Sequence, residues 1–459
     1  MMTVLKNFRI VDKNTDIPGA LIIENGIIRE IISYRDSSAN HHVNPFIDKA
    51  DVVINGLELP FGGGGPEGQM PVLMPAFVDL HAHFRDPGFP EKEVLESASL
   101  AAAAGGYGTL VCMANTKPVV DSVEKMAALK RRSCALDLID LYPVMSLTKN
   151  MEGKELSDLA GLPAKNESAY KGPLMLSEDG RDIAQDDIFL KAMKEARRIG
   201  IPVSCHCDAG GKEAEKAKQA GESRSVWSRI EENIATERAI ALGKEARCHI
   251  HIAHVSTKEA AAIVRGAKAA MANPHKLLTC EATPHHIALT GACSHELGDE
   301  SYGRVNPPLR GEEDRQALIA ALLDGTIDAI ATDHAPHTEE DKAKGAPGFS
   351  GLETSFAACN TVLVKSGLVD IRRLSALMSA NPARILGLDS SGRGGRGLIL
   401  PGFRADLVIL DIDKKWKVDP GAFKSRGKNS AFAGMDLWGK IVMTLRGGRI
   451  VFFMQFPPG

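Results

Sequence analysis

The sequence lacks a surplus of charge of either sign. Its 459 residues carry 55 lysines and arginines against 58 aspartates and glutamates, a formal net charge of −3. Nucleic-acid-binding proteins usually present a basic patch, so we expect no nucleic-acid partner. No apolar run approaches the roughly 18 residues of a membrane helix, and the first residues show no basic segment followed by an apolar one. We therefore expect neither a membrane span nor a secretory signal.

Paired cysteine motifs are also missing. None of the eight cysteines forms a Cys-x-x-Cys pair, and a chain of this length needs no disulfides to hold its core. We expect reduced thiols and a cytoplasmic protein. The triplet Cys205-His206-Cys207 does not predict a sulfur-ligated metal, because on a strand both sulfur atoms lie opposite His206.

The sequence does contain short apolar runs that alternate with amphipathic helical patterns such as 94–104 and 183–199. This alternation is typical of βαβ units and a parallel sheet. About eight such units favour a closed (β/α)8 TIM barrel over an open sheet. The apolar runs are at 76–80, 109–113, 173–176, 201–205, 249–253, 277–280 and 329–331.

Strand-like segments flank this region on both sides. Asn25-Gly26 between apolar runs is a strong hairpin signal, and strand texture returns after Gly395. We predict that the two flanks pair into a small β-sandwich side domain. The predicted division is 1–74 and 395–459 for the side domain and 75–394 for the barrel, with a flexible glycine-rich connector at 61–70.

Histidines and aspartates stand at the ends of five predicted strands. His81 and His83 share a face because strand residues alternate, and they end the first strand, where barrel enzymes carry their active sites. Imidazole and carboxylate ligands without a thiolate suit zinc or a similar divalent ion in an open catalytic site. The remaining candidates at strand ends are Asp179, His206, His254 and Asp333.

The faces of the run around residue 254 can also be assigned. Ile250, Ile252 and His254 share one face, which we expect to line the barrel interior. His249 and His251 then have supporting or structural roles. We also expect supporting roles for His285 and His286, and surface positions for His41, His42, His275 and His295.

Several motifs together resemble the bacterial class I dihydroorotases of the amidohydrolase superfamily. They are HAHFRDPG (81–88), MANTKP (113–118), SEDG (177–180), HVST (254–257), RVNPPLR (304–310) and ATDHAPH (331–337). The resemblance runs from about residue 72 onward. It implies reversible, zinc-dependent cyclisation of N-carbamoyl-L-aspartate to dihydroorotate in pyrimidine biosynthesis.

The resemblance also implies a ligand set. Two zinc ions per chain would be bridged by Asp179 and a hydroxide, with Asp333 as both first-zinc ligand and catalytic acid/base. His81 and His83 would hold the first zinc, and His206 and His254 the second. The implied substrate contacts are His83, Arg85, Asn115, Asn306, His337, Gly348 and Phe349. A homodimer, and possible association with aspartate carbamoyltransferase, are implied as well.

Two expectations concern the substrate. Arg85 beside two metal ions requires an anion, which is either a substrate carboxylate or, structurally, Asp86 or Glu91. Segment 338–350 combines charges, glycines and a proline, a composition that favours a lid loop. Lys117 is a departure from the family pattern that adds a charge near the site.

Two other functions stay open. One is a cyclic-amide hydrolase of the dihydropyrimidinase or allantoinase type. Many superfamily members bridge their metals with a carboxylated lysine, but here the strand ends in Asp179, and Lys171 is at its wrong end. The other is a non-catalytic partner of aspartate carbamoyltransferase, against which the presence of all six ligand positions argues.

Overall fold

The computed structural model describes residues 1–35, 39–59, 70–167, 170–208, 211–292 and 303–454. Residues 61–69 of the predicted connector and His295 lie outside these ranges. The strands are β1 Met2–Val11, β2 Asp16–Glu24, β3 Ile27–Ser33, β4 Val52–Asn55, β5 Val72–Pro75, β6 Phe77–Ala82, β7 Tyr107–Cys112, β8 Asp140–Pro143, β9 Leu176–Ser177, β10 Val203–Cys205, β11 Ile250–Ile252, β12 Leu278–Ala282, β13 Ala329–Ile330, β14 Leu407–Lys417, β15 Asp436–Arg446 and β16 Arg449–Phe453.

Helices alternate with the central strands. The α-helices of the described ranges are α1 Ala39–Ile47, α2 Leu95–Ala104, α3 Val123–Leu136, α4 Asp186–Ile199, α5 Gly211–Gln219, α6 Arg224–Ala246, α7 Lys258–Ala269, α8 Pro274–Leu277, α9 Pro284–Ala288, α10 Glu312–Leu323, α11 Glu339–Ala343, α12 Ser355–Cys359, α13 Ile371–Ser375 and α14 Asn381–Ile385. None of them is long and apolar enough to cross a membrane.

Eight parallel strands form the barrel. β6, β7 and β8 make one arc, and β9 to β13 make the other. Parallel bridges between Met145 and Leu176 and between Ala82 and His334 join the arcs at both seams. The predicted (β/α)8 fold is confirmed.

The apolar residues of the barrel strands form two layers, one on the outside of the barrel and one inside it. On β7, Leu110 and Cys112 pack in the cluster that contains helix α2, whereas Val111 and Met113 belong to a second cluster. That second cluster includes Ala383 of α14. Because α14 lies near the start of β13, it covers the N-terminal end of the barrel and leaves the C-terminal end for the site.

The flanking strands form one mixed eight-stranded sheet in the order β16-β15-β14-β5-β1-β2-β3, with β4 beside β1. β5 pairs in parallel with β1 and antiparallel with β14, so both flanks of the chain meet there. The sheet folds over its apolar face, where Leu21 and Ile23 pack with Leu407 and Leu445. One continuous sheet therefore forms the predicted sandwich. The exact domain boundaries stay a prediction.

A partly buried carboxylate connects this sheet to the barrel. Asp140, the first residue of β8, contacts Arg396, Arg404 and Arg446. Burial acts to raise its pKa, but the three guanidinium groups lower that pKa to about 2. Asp140 is therefore charged at neutral pH and ties three segments of the side domain to the barrel.

Candidate functional site

A cluster of histidines surrounds Asp179 at the C-terminal mouth of the barrel. Asp179 Oδ1 lies 3.2 Å from His81 Nε2, 3.1 Å from His206 Nδ1 and 3.6 Å from His254 Nε2. Its second oxygen, Oδ2, lies 3.3 Å from His83 Nε2. The carboxylate therefore stands between two pairs of imidazoles.

Asp333 completes the first of these pairs. Its Oδ1 lies 3.1 Å from His83 Nε2 and 3.6 Å from His81 Nε2. The Asp333 backbone N–H donates to the His81 carbonyl, which fixes the end of the last strand against the first. The six predicted ligands thus come together, from five strand ends.

This geometry fits a pair of zinc ions. Ligands at about 2.0–2.1 Å from a tetrahedral zinc lie roughly 3.4 Å from each other, and the distances above cluster near that spacing. Among the described residues, His81 Nε2 and Asp179 Oδ1 are buried without a hydrogen-bond partner. Two ligand groups that could each hold an ion share Asp179. Neither group contains a cysteine.

Three of the histidines are oriented through their second ring nitrogen. His81 Nδ1 lies 3.1 Å from Glu281 Oε1, His83 Nδ1 lies 3.0 Å from Asn115 Oδ1, and His206 Nε2 lies 2.9 Å from Asp208 Oδ2. Such contacts fix the tautomer and leave the other nitrogen free to bind a metal. The nitrogens that would face a metal ion are therefore Nε2 of His81, Nε2 of His83 and Nδ1 of His206.

The electrostatics of the cluster favour an added cation. Burial acts to raise the pKa of Asp179, but His81 and His206 lower it well below its usual range. Burial acts to lower the pKa of His81, yet Asp179 raises it well above its usual value. Either a proton or a metal ion is therefore stabilised between these groups.

Arg85 lies beside the cluster and forms no ion pair within the part of the chain that the structure describes. Its Nε donates to the Pro336 carbonyl at 3.3 Å, and its Nη2 lies 3.2 Å from His337 Nε2. The alternative that Arg85 pairs with Asp86 is wrong, because the Asp86 carboxylate binds Arg132 through both oxygens. Among the described residues, no ion pair joins Arg85 to Glu91 either.

Comparison with known proteins decides the family. The amidohydrolase family model matches residues 72–451. The chain belongs to the amidohydrolase family. Its relatives include a protein named dihydroorotase from Clostridium botulinum (strain Eklund 17B / Type B), 40% identical over 452 residues, 98% of this chain and 100% of the relative. Another protein of that name, from Geobacillus sp. (strain WCH70), is 35% identical and covers 98% of this chain and 99% of its own.

Solved structures show the fold of this amidohydrolase. The L-hydantoinase (dihydropyrimidinase) from Arthrobacter aurescens superposes with a TM-score of 0.78 at 24% identity, covering 98% of this chain and 95% of that one. A D-hydantoinase (dihydropyrimidinase) from Thermus sp. gives a TM-score of 0.77 at 21% identity, with 98% and 96% covered. At these identities the likeness establishes the architecture alone.

The other predicted contacts of the amidohydrolase lie around the same mouth. Asn115 contacts the ligand cluster through His83, whose Nδ1 lies 3.0 Å from Asn115 Oδ1. Asn306 Nδ2 lies 3.2 Å from His206 Nε2, and its Oδ1 accepts a hydrogen bond of 2.9 Å from Arg224. His337 Nε2 lies 2.9 Å from the Pro347 carbonyl, next to Gly348 and Phe349.

The prediction that Ile250 and Ile252 of β11 line the barrel interior is wrong. A Cβ built on Gly243 of helix α6 would stand 2.8 Å from the Ile250 side chain, so Ile250 points outward to that helix. The interior face instead carries His251, which contacts Glu281, and His249, which contacts Thr279. The strand ends at Ile252, and His254 has a left-handed φ of 32°, so alternation does not extend to it.

Sequence reasoning missed two carboxylates of the site. Glu281 is fully buried on β12 and contacts both His81 and His251. Asp208 follows His206 by two residues. A carboxylate inside the apolar run of β12 was the available signal for Glu281, because a charge is buried in a strand only when it is paired.

The residues set aside in the sequence do not join the ligand groups. Cys205 and Cys207 are buried, and burial raises the pKa of both thiols well above its usual value. The Lys117 and Lys171 side chains are exposed. His285 and His286 are buried near the mouth, where His286 Nε2 lies 3.0 Å from the Pro307 carbonyl. His42 and His275 are exposed, as predicted, whereas the side chain of His41 is outside the part of the chain that the structure describes.

Proposed function

We propose that this amidohydrolase is a dihydroorotase, which closes N-carbamoyl-L-aspartate to dihydroorotate reversibly. The observation that carries the proposal is Arg85, a cation that forms no ion pair with a described carboxylate and lies beside a cluster of ligands suited to two metal ions. Relatives named dihydroorotase at 40% identity, aligned over nearly the whole chain, support it. Hydantoinase-type solved structures are more distant and speak for the fold alone.

Two zinc ions are the proposed cofactors. His81, His83 and Asp333 would hold one, His206 and His254 the other, and Asp179 both. Bound zinc supplies Lewis acidity, which lowers the pKa of water to about 7 and polarises a carbonyl oxygen. The support is the nitrogen and oxygen donor set at mutual distances of 3.1–3.6 Å.

Asp333 is the proposed proton carrier. In the hydrolytic direction water adds to the ring amide carbon, the carbon–nitrogen bond breaks, and Asp333 moves the proton from the water to the leaving nitrogen. Burial acts to raise the Asp333 pKa, but the hydrogen bond to His83 and the charge of His81 lower it. Asp333 is thus ionised at neutral pH and ready to accept a proton.

Replacing Asp333 with asparagine tests that role. Asn keeps a coordinating oxygen but accepts no proton, so we expect kcat to fall on the order of 10²–10⁴-fold. Zinc content, measured by elemental analysis, should fall much less. Turnover within a few-fold of the parent would assign the proton transfer to another group.

Arg85 is the proposed carboxylate clamp, with Asn115 and His337 beside it. An arginine fork binds a carboxylate through two parallel hydrogen bonds, which a lysine does not reproduce. Asn306, Gly348 and Phe349 are proposed to contact the ring. These roles are supported by the position of all six residues around the metal cluster.

A cyclisation assay decides the function. Purified protein with two zinc ions per chain should convert N-carbamoyl-L-aspartate to dihydroorotate and should hydrolyse dihydroorotate faster than dihydrouracil or allantoin. Faster turnover of either uncharged ring would overturn the proposal in favour of a dihydropyrimidinase or allantoinase type. Absence of both zinc and turnover would favour a non-catalytic partner of aspartate carbamoyltransferase.

We further propose a cytoplasmic homodimer that associates with aspartate carbamoyltransferase in a larger assembly. The unpaired state of the seven described cysteines is consistent with a reducing compartment. Light scattering of the purified protein, alone and with the transferase, tests both association states. A monomeric mass at micromolar concentration would contradict the homodimer.

A further inference from the structure

A buried lysine holds the segment that follows His337. The Lys342 side chain on helix α11 is 1% exposed. Its Nζ donates to three backbone carbonyls, those of Arg304 at 3.2 Å, Ala346 at 3.0 Å and Gly348 at 2.8 Å. An ammonium group has three N–H donors, and here each of them has a carbonyl.

These carbonyls belong to two segments that carry proposed substrate contacts. The Arg304 carbonyl precedes Asn306 by two residues, and it also accepts a hydrogen bond from the Gly348 N–H at 2.8 Å. The Ala346 and Gly348 carbonyls flank Pro347, whose own carbonyl lies 2.9 Å from His337 Nε2. One ammonium therefore cross-links both sides of the substrate pocket.

The hydrogen bond to Gly348 fixes the direction of a particular peptide group. In a planar trans peptide the C=O of one residue and the N–H of the next point in opposite directions. Because Lys342 binds the Gly348 carbonyl, the Phe349 N–H points away from the ammonium. That N–H has no acceptor within the described part of the chain, whereas the Phe349 carbonyl accepts from Ala335 at 2.9 Å.

The backbone at this peptide is built for the arrangement. Gly348 has a φ of +113°, which favours glycine, and a Cβ there would stand 2.6 Å from the Ala335 side chain. Residues 348–349 are thus pressed against the end of the last barrel strand. Helix α11 is fixed in turn by a capping box between Thr338 and Asp341.

We propose that Lys342 is a positioning residue that aims the Phe349 N–H at an oxygen of the bound substrate. The proposal rests on the proposed function and adds a residue to its binding machinery. The charge of the ammonium also polarises the Gly348–Phe349 peptide, which makes its N–H a stronger donor. Lys342 itself does not touch the substrate.

Kinetics of Lys342→Met test this role, because methionine keeps the length and removes the charge. We expect KM for dihydroorotate to rise roughly 10- to 100-fold, as for loss of a charge-assisted contact, with a much smaller change in kcat and two zinc ions retained. Lys344→Met is the matched control, since Lys344 is exposed and its ion pair among the described residues is with the nearby Glu340. It should leave KM unchanged.

Rescue distinguishes positioning from general stability. In Lys342→Ala the three carbonyls form a cradle for a small cation, so added ethylammonium should lower KM toward the parent value. An unchanged KM in Lys342→Met, or a raised KM that ethylammonium does not lower in Lys342→Ala, would overturn the proposal. If Lys342→Met does not fold, the rescue of Lys342→Ala alone decides in the same way.

The two proposals fail separately. If the parent prefers dihydrouracil, the dihydroorotase assignment is wrong, but the rise in KM and its rescue can still be measured on that preferred ring. If the parent prefers dihydroorotate and Lys342→Met leaves KM unchanged, only the role of Lys342 is wrong.

Discussion

Arg85 forms no direct ion pair within the described ranges, although the charges of Asp333, Asp179 and Asp341 act on it from a greater distance. Burial and the charge of Arg85 lower the pKa of His337 to about 3, so the imidazole beside the guanidinium is uncharged at neutral pH. The Pro336 carbonyl supplies one acceptor and no net charge. We therefore propose that an anion of the substrate is the partner of this group.

Arg85→Met should separate substrates by their charge. Losing a charge-assisted bidentate contact costs about 1.5–3 kcal/mol, hence kcat/KM for dihydroorotate should fall roughly 10–150-fold while any turnover of dihydrouracil changes little. Steady-state kinetics on both rings measure this. Arg132→Met is the control, because Arg132 already binds Asp86 and should affect both rings alike. An equal loss on both rings in Arg85→Met would assign Arg85 to support of the metal cluster.

Strands β11 and β12 carry a chain of polar contacts below the metal cluster. Thr279 Oγ1 lies 2.9 Å from both His249 Nε2 and His251 Nδ1, and His251 Nε2 lies 2.9 Å from Glu281 Oε2. Glu281 then meets His81. Polar side chains thus fill this part of the barrel interior, and they connect it to His81, a proposed metal ligand.

Glu281→Gln tests what this chain does for the metal. Glutamine keeps the shape but removes the charge that orients His81, so affinity for the first zinc should fall roughly 10–100-fold. Zinc retention against a competing chelator measures it. His249→Gln, at the far end of the chain of contacts, should retain zinc as the parent does. An unchanged affinity in Glu281→Gln would show that Glu281 serves packing alone.

His249 makes this interior sensitive to acid. Burial, together with the nearby His251, lowers the His249 pKa from 6.5 to about 3. Between those pH values the unfolded chain binds a proton that the folded chain does not. The folded state is therefore destabilised as the pH falls below 6.5, by on the order of 1–2 kcal/mol at pH 5 for one such group.

Urea unfolding of His249→Gln at pH 7.5 and pH 5.0 measures this contribution. Glutamine does not titrate, so the difference between its two midpoints should be smaller than that of the parent. His42→Gln, at an exposed position, should behave as the parent does. A difference as large as in the parent would mean that other groups account for its acid sensitivity.

The elements show what sequence patterns can predict and where they stop. The helical patterns at 94–104 and 183–199 match α2 Leu95–Ala104 and α4 Asp186–Ile199 to within three residues, because apolar periodicity survives in long helices. β8 was not predicted, since Asp140–Pro143 is a short segment that begins with a charged residue. The faces of β11 were reversed, because two interior histidines look like a polar outer face until Glu281 is known to pair with them.

The six metal-ligand candidates were predicted because each residue ends a strand, and parallel strands end together. Lys342 was not predicted, because three backbone carbonyls leave no trace in the residue types that supply them. Its role depends on residues 304 and 348 lying close together in the folded chain. Lys342 lies within the segment 338–350 that was predicted to be a lid. The motion of this segment over bound substrate stays a prediction.

At the scale of the whole molecule, the ion pairs of Asp140 hold the side domain to the barrel. Asp140→Asn leaves Arg396, Arg404 and Arg446 without their shared carboxylate. We expect a loss on the order of 3 kcal/mol in the free energy of unfolding, seen as a lower urea midpoint, with zinc content and turnover unchanged before unfolding. Asp187→Asn, which breaks an exposed pair with Lys191, should cost well under about 1 kcal/mol. Equal midpoints in the two variants would contradict the role of Asp140.

The position of β5 has a consequence for synthesis of the chain. β5 ends at Pro75 and needs β14, which begins at Leu407, as its second neighbour. At translation rates of about 5–20 residues per second, the ribosome takes roughly 20–60 s to add the intervening segment. During that time β1 to β5 present an unpaired strand edge to other nascent chains. The strands that are made before the barrel are therefore covered only after it, and mispairing during translation is the hazard that this topology carries.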